Sequence, residues 1–149
     1  MPPVEIARFR DLSAATLYEI LALRAQVFVV EQACAYLDVD GRDIEPGTLH
    51  LFARAGDDGA LLAYLRILEE PGNVRKIGRV VAAPAARGTG VAGDVMRVAL
   101  AQCGPAEVVL DAQAPLAPWY GAFGFVAAGP EFLEDDIPHI PMRRVPRAS

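Results

Sequence analysis

No stretch constrains this chain more than residues 79–100, RVVAAPAARGTGVAGDVMRVAL. The apolar run at residues 77–82 reads as a buried strand, Pro84 follows, and a glycine-rich turn occupies residues 87–93. Val91, Val95, Val98 and Ala99 then recur at helical spacing, with Asp94, Arg97 and Gln102 on the other side. The order is strand, glycine turn, helix. The first-turn amides of such a helix have no intrahelical acceptor, and the positive end of the helix dipole lies beside them. Small residues let a ligand come close to the backbone, so the junction is suited to a phosphate or diphosphate.

Two phosphate-binding patterns share these letters. Gly88-Thr89-Gly90-Val91-Ala92-Gly93 is a G-x-G-x-x-G, and Asp111 ends the strand-like VVLDAQ near the spacing expected of a ribose-binding acid. That pattern would imply NAD binding dependent on Asp111. It asks for its first glycine directly at the strand end, whereas residues 83–87 intervene, and residues 112–149 are too few to complete a nucleotide-binding domain. Read from Arg87, the letters are instead Arg87-x-x-Gly90-x-Ala92 behind Pro84. A second block follows, Trp119-Tyr120-Gly121-Ala122-Phe123-Gly124-Phe125. Together they resemble the GNAT N-acetyltransferases, whose coenzyme A loop reads R/Q-x-x-G-x-G/A after an apolar strand and whose later segment reads Y-x-x-x-G-F. The stretches VFVVEQACAYLDVDG, LLAYLRIL, KIGRVV and DDIPHIPM are similar to the ElaA-type branch, and the likeness extends from Leu17 to Arg144.

The resemblance implies one α+β domain over residues 1–149, a mixed antiparallel and parallel sheet flanked by helices on both faces. It implies transfer of an acetyl group from acetyl-CoA to a primary amine, of a small molecule or a peptide, by direct attack and without a metal. The loop residues Arg87, Gly88, Thr89, Gly90, Val91, Ala92 and Gly93 would hold the pyrophosphate through backbone N–H groups, with a charge-assisted contact from Arg87. The strand before the loop would diverge from its parallel neighbour. The backbone of Val80, Val81 and Ala82 would then bind the pantetheine arm, with the Val80 N–H facing the thioester oxygen. Tyr120 would protonate the departing thiolate, a phenol of pKa about 10 beside a thiol near 8.5. The same residues would also serve a coenzyme A-binding sensor or partner module without turnover.

No residue is forced by the sequence as the general base. Glu31, at the end of the first helix, and His139, near the start of the last strand, are the candidates, a histidine having an ordinary pKa near 6.5. Arg66, Arg79 and Gln113 are expected either to line the acceptor side of the cleft or to pair locally. Glu31, Asp38, Asp40, Asp43 and Glu45 crowd one segment, which would suit a cationic acceptor if that segment lined the cleft.

The formal net charge of −5 argues against a nucleic-acid partner, because phosphate backbones are met by basic fields. No charged-then-apolar leader and no bilayer-length apolar run is visible, so a cytoplasmic protein without a membrane partner is expected, as monomer or homodimer. Cys34 and Cys103 match no metal spacing and are expected as reduced thiols.

Along the chain, residues 4–9 read as a strand, and a helix from Ser13 to Val29 is capped by Asp11 or Ser13, with Arg24 extending its stem along the core edge. Residues 50–55 and 60–68 form a hairpin over Gly56-Asp57-Asp58-Gly59. The third meander strand, residues 76–82, leads into a helix at 88–103, which stops at Gly104-Pro105. Residues 107–113 return parallel to it. A short helix through Phe123 and strands at 125–127 and 139–144 close the fold.

Overall fold

A computed structural model describes residues 2–145. Strand β1 (Val4–Arg8) precedes helix α1 (Ala14–Arg24), capped by Ser13, whose Oγ accepts the Thr16 N–H at 3.0 Å. The helix does not end at Arg24 but widens into a π-type turn over Ala25–Glu31. Three strands then form the antiparallel meander: β2 (Leu49–Arg54), β3 (Leu61–Glu70) and β4 (Val74–Ala82). Helix α2 (Val91–Cys103) crosses over to β5 (Glu107–Gln113), followed by the short α3 (Ala117–Gly121). The chain closes with β6 (Val126–Ala127), β7 (Phe132–Glu134) and β8 (Ile137–Arg144).

All eight strands belong to one sheet in the order β1-β2-β3-β4-β5-β8-β6, with β7 on β8. The expected mixed sheet and its crossover are present, and β7 is an addition: three polar-flanked residues carry too little alternation to read as a strand. Period-two alternation sorts the side chains onto two faces. Leu51, Ala53, Leu65, Ile67 and Ile77 pack with Val91, Val95, Met96 and Ala99 of α2 and with Tyr120 of α3. Phe52, Tyr64 and Val81 pack on the other face with Ile20 and Val27. Helices therefore cover both faces, which places every loop of interest at the ends of the central strands.

Two irregularities shape the middle of the sheet. β4 and β5 are parallel neighbours only from Val74 to Lys76, opposite Glu107 to Val109. Beyond that, β5 pairs with β8 along its whole length, from Val108 opposite Arg144 to Gln113 opposite His139, and departs from β4. The second is a bulge. Gly78 faces Arg66 and Val81 faces Tyr64, so Arg79 and Val80 together oppose Leu65. Arg79 takes a left-handed backbone, φ 52°, unusual for a residue with a side chain.

Candidate functional site

The divergence of β4 from β5 opens a cleft of about 600 Å³. Ile77 to Ala82 form one wall, and Leu110, Asp111 and Gln113 of β5 form the other. At the apex, where the strands part, Lys76 Nζ and Asp111 Oδ2 pair at 3.2 Å. A strand edge facing no other strand carries N–H and C=O groups that need partners, so the opening is chemically a place for an extended ligand.

Arg87 lines the cleft, and the glycine loop follows it in the chain. Gly88 and Gly90 have φ of 81° and 85°, which only glycine adopts without cost, and no atom lies within 4 Å of where a Cβ would stand on either. Gly90 is the N-cap of α2 and supplies no side-chain cap. The first helical bond runs from the Asp94 N–H to the Gly90 carbonyl at 3.1 Å, while Thr89 Oγ1 donates to the Ala86 carbonyl and weakly accepts the Val91 N–H at 3.5 Å. The amides of Ala92 and Gly93 belong to that uncapped first turn. Donors, dipole and open space coincide here, which fits the diphosphate of a coenzyme A.

The far wall carries Tyr120, 7 % exposed, edge-on to Trp119 at 5.0 Å and to Phe125 at 6.2 Å. Burial alone pushes its phenol up to about 12. His139 also lines the cleft. Its Nδ1 lies 2.7 Å from the Ile137 carbonyl, and since a carbonyl only accepts, Nδ1 carries the proton. In the neutral ring Nε2 is then the acceptor, 3.8 Å from Glu134, while the ring stacks on Phe132.

Against the cleft lies the segment from Gln32 to Gly47, tied down by buried and part-buried ion pairs. Arg24, fully buried, donates to Asp38 Oδ2 at 2.8 Å through Nε and to Asp43 Oδ1 at 2.7 Å through Nη1. Arg66, 3 % exposed, donates to both oxygens of Asp40 at 2.9 and 2.6 Å and to Asp43 Oδ1 at 3.0 Å. Arg79 Nε pairs with Asp38 Oδ1 at 2.8 Å. The hydrogen bonds of Arg66 hold the Asp40 carboxyl far below its usual range. At Asp43 burial works upward, but Arg24 and Arg66 outweigh it and the net shift is downward. Beneath them the imidazole of His50 accepts from the Tyr64 hydroxyl at Nδ1, 2.7 Å, and donates from Nε2 to the Asp43 carbonyl, 2.9 Å. Burial pushes His50 down, keeping it neutral.

The cleft brings together Glu31, Arg66, Arg79, Val80, Val81, Ala82, Arg87, Gln113, Tyr120 and His139, while Gly88 to Gly93 follow Arg87 in the chain and are not part of its lining. Their side chains are not equally free. Arg87 and Glu31 hold each other in a two-pronged pair at 2.8 and 2.9 Å, and Gln113 donates to Gln32 at 3.2 Å. The acidic segment is not an open cation trap: Asp38, Asp40 and Asp43 are matched by three arginines that the fold delivers to them. Arg24 is not at the core edge but inside. Its placement had a signal, an arginine four residues after Ile20 and three before Val27 on one helical stripe. Arg66, on the same strand face as Tyr64, gave the same signal at period two. Cys34 Sγ donates to the Asp135 carbonyl at 3.4 Å, and partial burial with Asp135 and Asp136 nearby pushes its thiol up. Both cysteines are free. Among the described residues no cluster could hold a metal ion, and no helix is long and apolar enough to cross a membrane. The sheet is not doubly wound, and the carboxylate of Asp111 is engaged by Lys76, so the ribose-binding reading of that acid has neither its fold nor its free group.

Residues 18–146 match the acetyltransferase (GNAT) domain family. The UPF0039 protein Rv2851c of Mycobacterium tuberculosis is 45% identical over 138 residues, covering 91% of this chain and 88% of that protein. The crystal structure of an acyl-CoA N-acyltransferase from Pseudomonas aeruginosa superimposes with a TM-score of 0.90 at 45% identity, over 97% of this chain and 100% of that one. Escherichia coli ElaA superimposes with a TM-score of 0.88 at 37% identity, over 97% and 99%. The fold is thus that of the acyl-CoA N-acyltransferases, and this chain belongs to the GNAT acetyltransferase family, in its ElaA-like branch.

Proposed function

We propose that this chain moves the acetyl group of acetyl-CoA to a primary amine by direct attack, with Tyr120 as general acid and His139 as the group that takes the amine's proton. The observation that carries the reading is the parting of β4 from β5 between the uncapped glycine loop and Tyr120. Acetyl-CoA supplies the acyl group as an activated thioester. The amides of Gly88 to Gly93 hold its diphosphate, and the free edge of Val80 to Ala82 binds its extended arm. His139 Nε2 accepts a proton from the ammonium, directly or through water, and Glu134 balances the charge that results. Glu31 is the lesser candidate because both its oxygens are engaged by Arg87. Tyr120 Oη gives its proton to the sulfur as the new C–N bond forms and the C–S bond breaks, and the second proton shed by the nitrogen, passed through water, restores the phenol. A phenol near 12 stays protonated throughout the working range, and the apolar surroundings that raise it also raise the basicity of a thiolate beside it.

Calorimetric titration with acetyl-CoA, followed by thiol release against a library of primary amines, tests this. Gly90→Glu, which strains a left-handed position and places a carboxylate at the anion site, should abolish binding. Tyr120→Phe should keep affinity and lose about 10²–10⁴ in rate. Absence of acetyl-CoA binding would sink the proposal. Binding without thiol release from any amine would favour the non-catalytic coenzyme A module, and full activity in Tyr120→Phe would remove the tyrosine from the chemistry.

A further inference from the structure

Arg79 lines the cleft, and its side chain is engaged by the Gln32 to Gly47 segment, whose Tyr36 and Asp40 line the same cleft. Its left-handed backbone costs a non-glycine residue about 1–2 kcal/mol and persists only where the surroundings over-determine it. The surroundings are specific. Nε forms an ion pair with Asp38 Oδ1 at 2.8 Å, without hydrogen-bond geometry, and Nη2 donates to the Asp38 carbonyl at 3.0 Å and to Asp40 Oδ2 at 3.3 Å. The guanidinium also lies over the Tyr36 ring, 5.5 Å from its centre. The partners are themselves immobilised: Asp38 by Arg24 at 2.8 Å and by the Tyr36 hydroxyl at 2.7 Å, Asp40 by Arg66 at 2.6 Å. The kinked residue is thus bolted at its side-chain end to a lattice of charges whose centre, Arg24, Asp38 and Asp43, is buried. Val80, the next residue, shares the bulge opposite Leu65.

We propose that Arg79 is a positioning residue: its ion pairs with Asp38 and Asp40 hold β4 in the left-handed kink, and the kink aims the backbone of Val80 into the cleft. This deepens the acetyl-transfer reading and rests on it for the catalytic consequence alone. The residues that fold over the acceptor side then also set the peptide of β4 that faces the thioester, and so act on turnover, while the glycine loop that holds the diphosphate stands apart from them.

The test compares Arg79→Gly with Arg79→Ala and Arg79→Lys. In an ordinary strand glycine is the worse of the first two. Here glycine enters the kink without strain, so Arg79→Gly should melt above Arg79→Ala. Its kcat for thiol release should exceed that of Arg79→Ala by about 5- to 30-fold, the factor that corresponds to the strain relieved, at unchanged KM for the amine. Arg79→Lys, which keeps one cation for Asp38 and Asp40, should fall between wild type and Arg79→Ala. Alanine equal to or better than glycine in both melting and kcat overturns the proposal. Equal loss in all three variants with a raised amine KM overturns it in favour of a direct contact between Arg79 and the acceptor. If the wild type turns over no amine, acetyl transfer itself has failed, and the melting order still decides whether the ion pairs hold the kink.

Discussion

The two sides of the cleft are built by opposite means. The proposed donor side is backbone: an uncapped helix start at Gly90, two left-handed glycines and a strand edge that no neighbouring strand covers. The acceptor side is side chain: three arginines and three aspartates from α1, β3, β4 and the Gln32 to Gly47 segment, with His50 and Tyr64 beneath. A backbone site needs small residues at fixed spacing and little else. A site made by side chains needs the whole fold before any partner meets another. The first should therefore be tolerant in stability and intolerant in binding, and the second the reverse.

The largest effect should come from the centre of the charge lattice. Arg24→Met keeps the unbranched stem but leaves Asp38 and Asp43 buried with one partner fewer. Breaking a buried pair from one side costs ~3–5 kcal/mol, because an uncompensated charge remains. Urea unfolding should show that loss, while acetyl-CoA affinity measured well below the new midpoint stays close to wild type. A loss under ~1 kcal/mol would mean that the segment relaxes around the missing cation, and the contrast between the two sides would collapse.

The same contrast explains what could be read from the letters alone. The Arg87 to Gly93 loop and the Tyr120 block are each a contiguous stretch, and glycine, proline and apolar period encode local geometry directly. The meander and the crossover were legible for that reason. The charge lattice was not, because Arg24 meets Asp38 across 14 residues and Arg79 meets it across 41. Composition near Asp38 to Glu45 reads as free acid until the fold supplies the counter-charges. The parallel sense of residues 107–113 and the divergence that the resemblance implies are both present, but how far the pairing runs could not be read: it stops at Lys76 because β8 captures β5. Helix ends slipped for local reasons, α2 beginning at Val91 because Gly88 and Gly90 are left-handed.

A pH profile separates the two sides next. His50 lies on the acceptor side with its folded pKa lowered by burial. Below about pH 6.5 the unfolded chain binds a proton that the folded one refuses, so its contribution is full above that value and lost as pH falls. The slope reaches about 1.4 kcal/mol per pH unit while the two states differ by one proton. Tyr120 of α3 and Cys103 at the end of α2, both in the core, are pushed by burial up to about 12 and about 11. Their contributions are intact below the ordinary values near 10 and 8.5 and decline as pH rises beyond them. Unfolding midpoints from pH 7.5 down to 5 should fall in the wild type and flatten in His50→Gln. An unchanged slope in the variant would assign the acid sensitivity elsewhere.

The smallest stability change should belong to the donor side. At Gly88 no atom lies within 4 Å of where an added methyl would stand, so Gly88→Ala creates no clash, and its cost is the left-handed φ of 81° alone. That is about 1–2 kcal/mol if the loop keeps its shape, and less if the residue escapes to a negative φ. The strain is relieved when the loop moves, and its amides then no longer converge as they do, so calorimetry should record a loss of acetyl-CoA affinity larger than that folding cost. The decisive quantity is the ratio of the two losses. Gly88→Ala should lose more in binding than in folding, Arg24→Met more in folding than in binding; if both variants lose the two in equal measure, the cleft is a single cooperative unit and the division between a backbone side and a side-chain side does not hold.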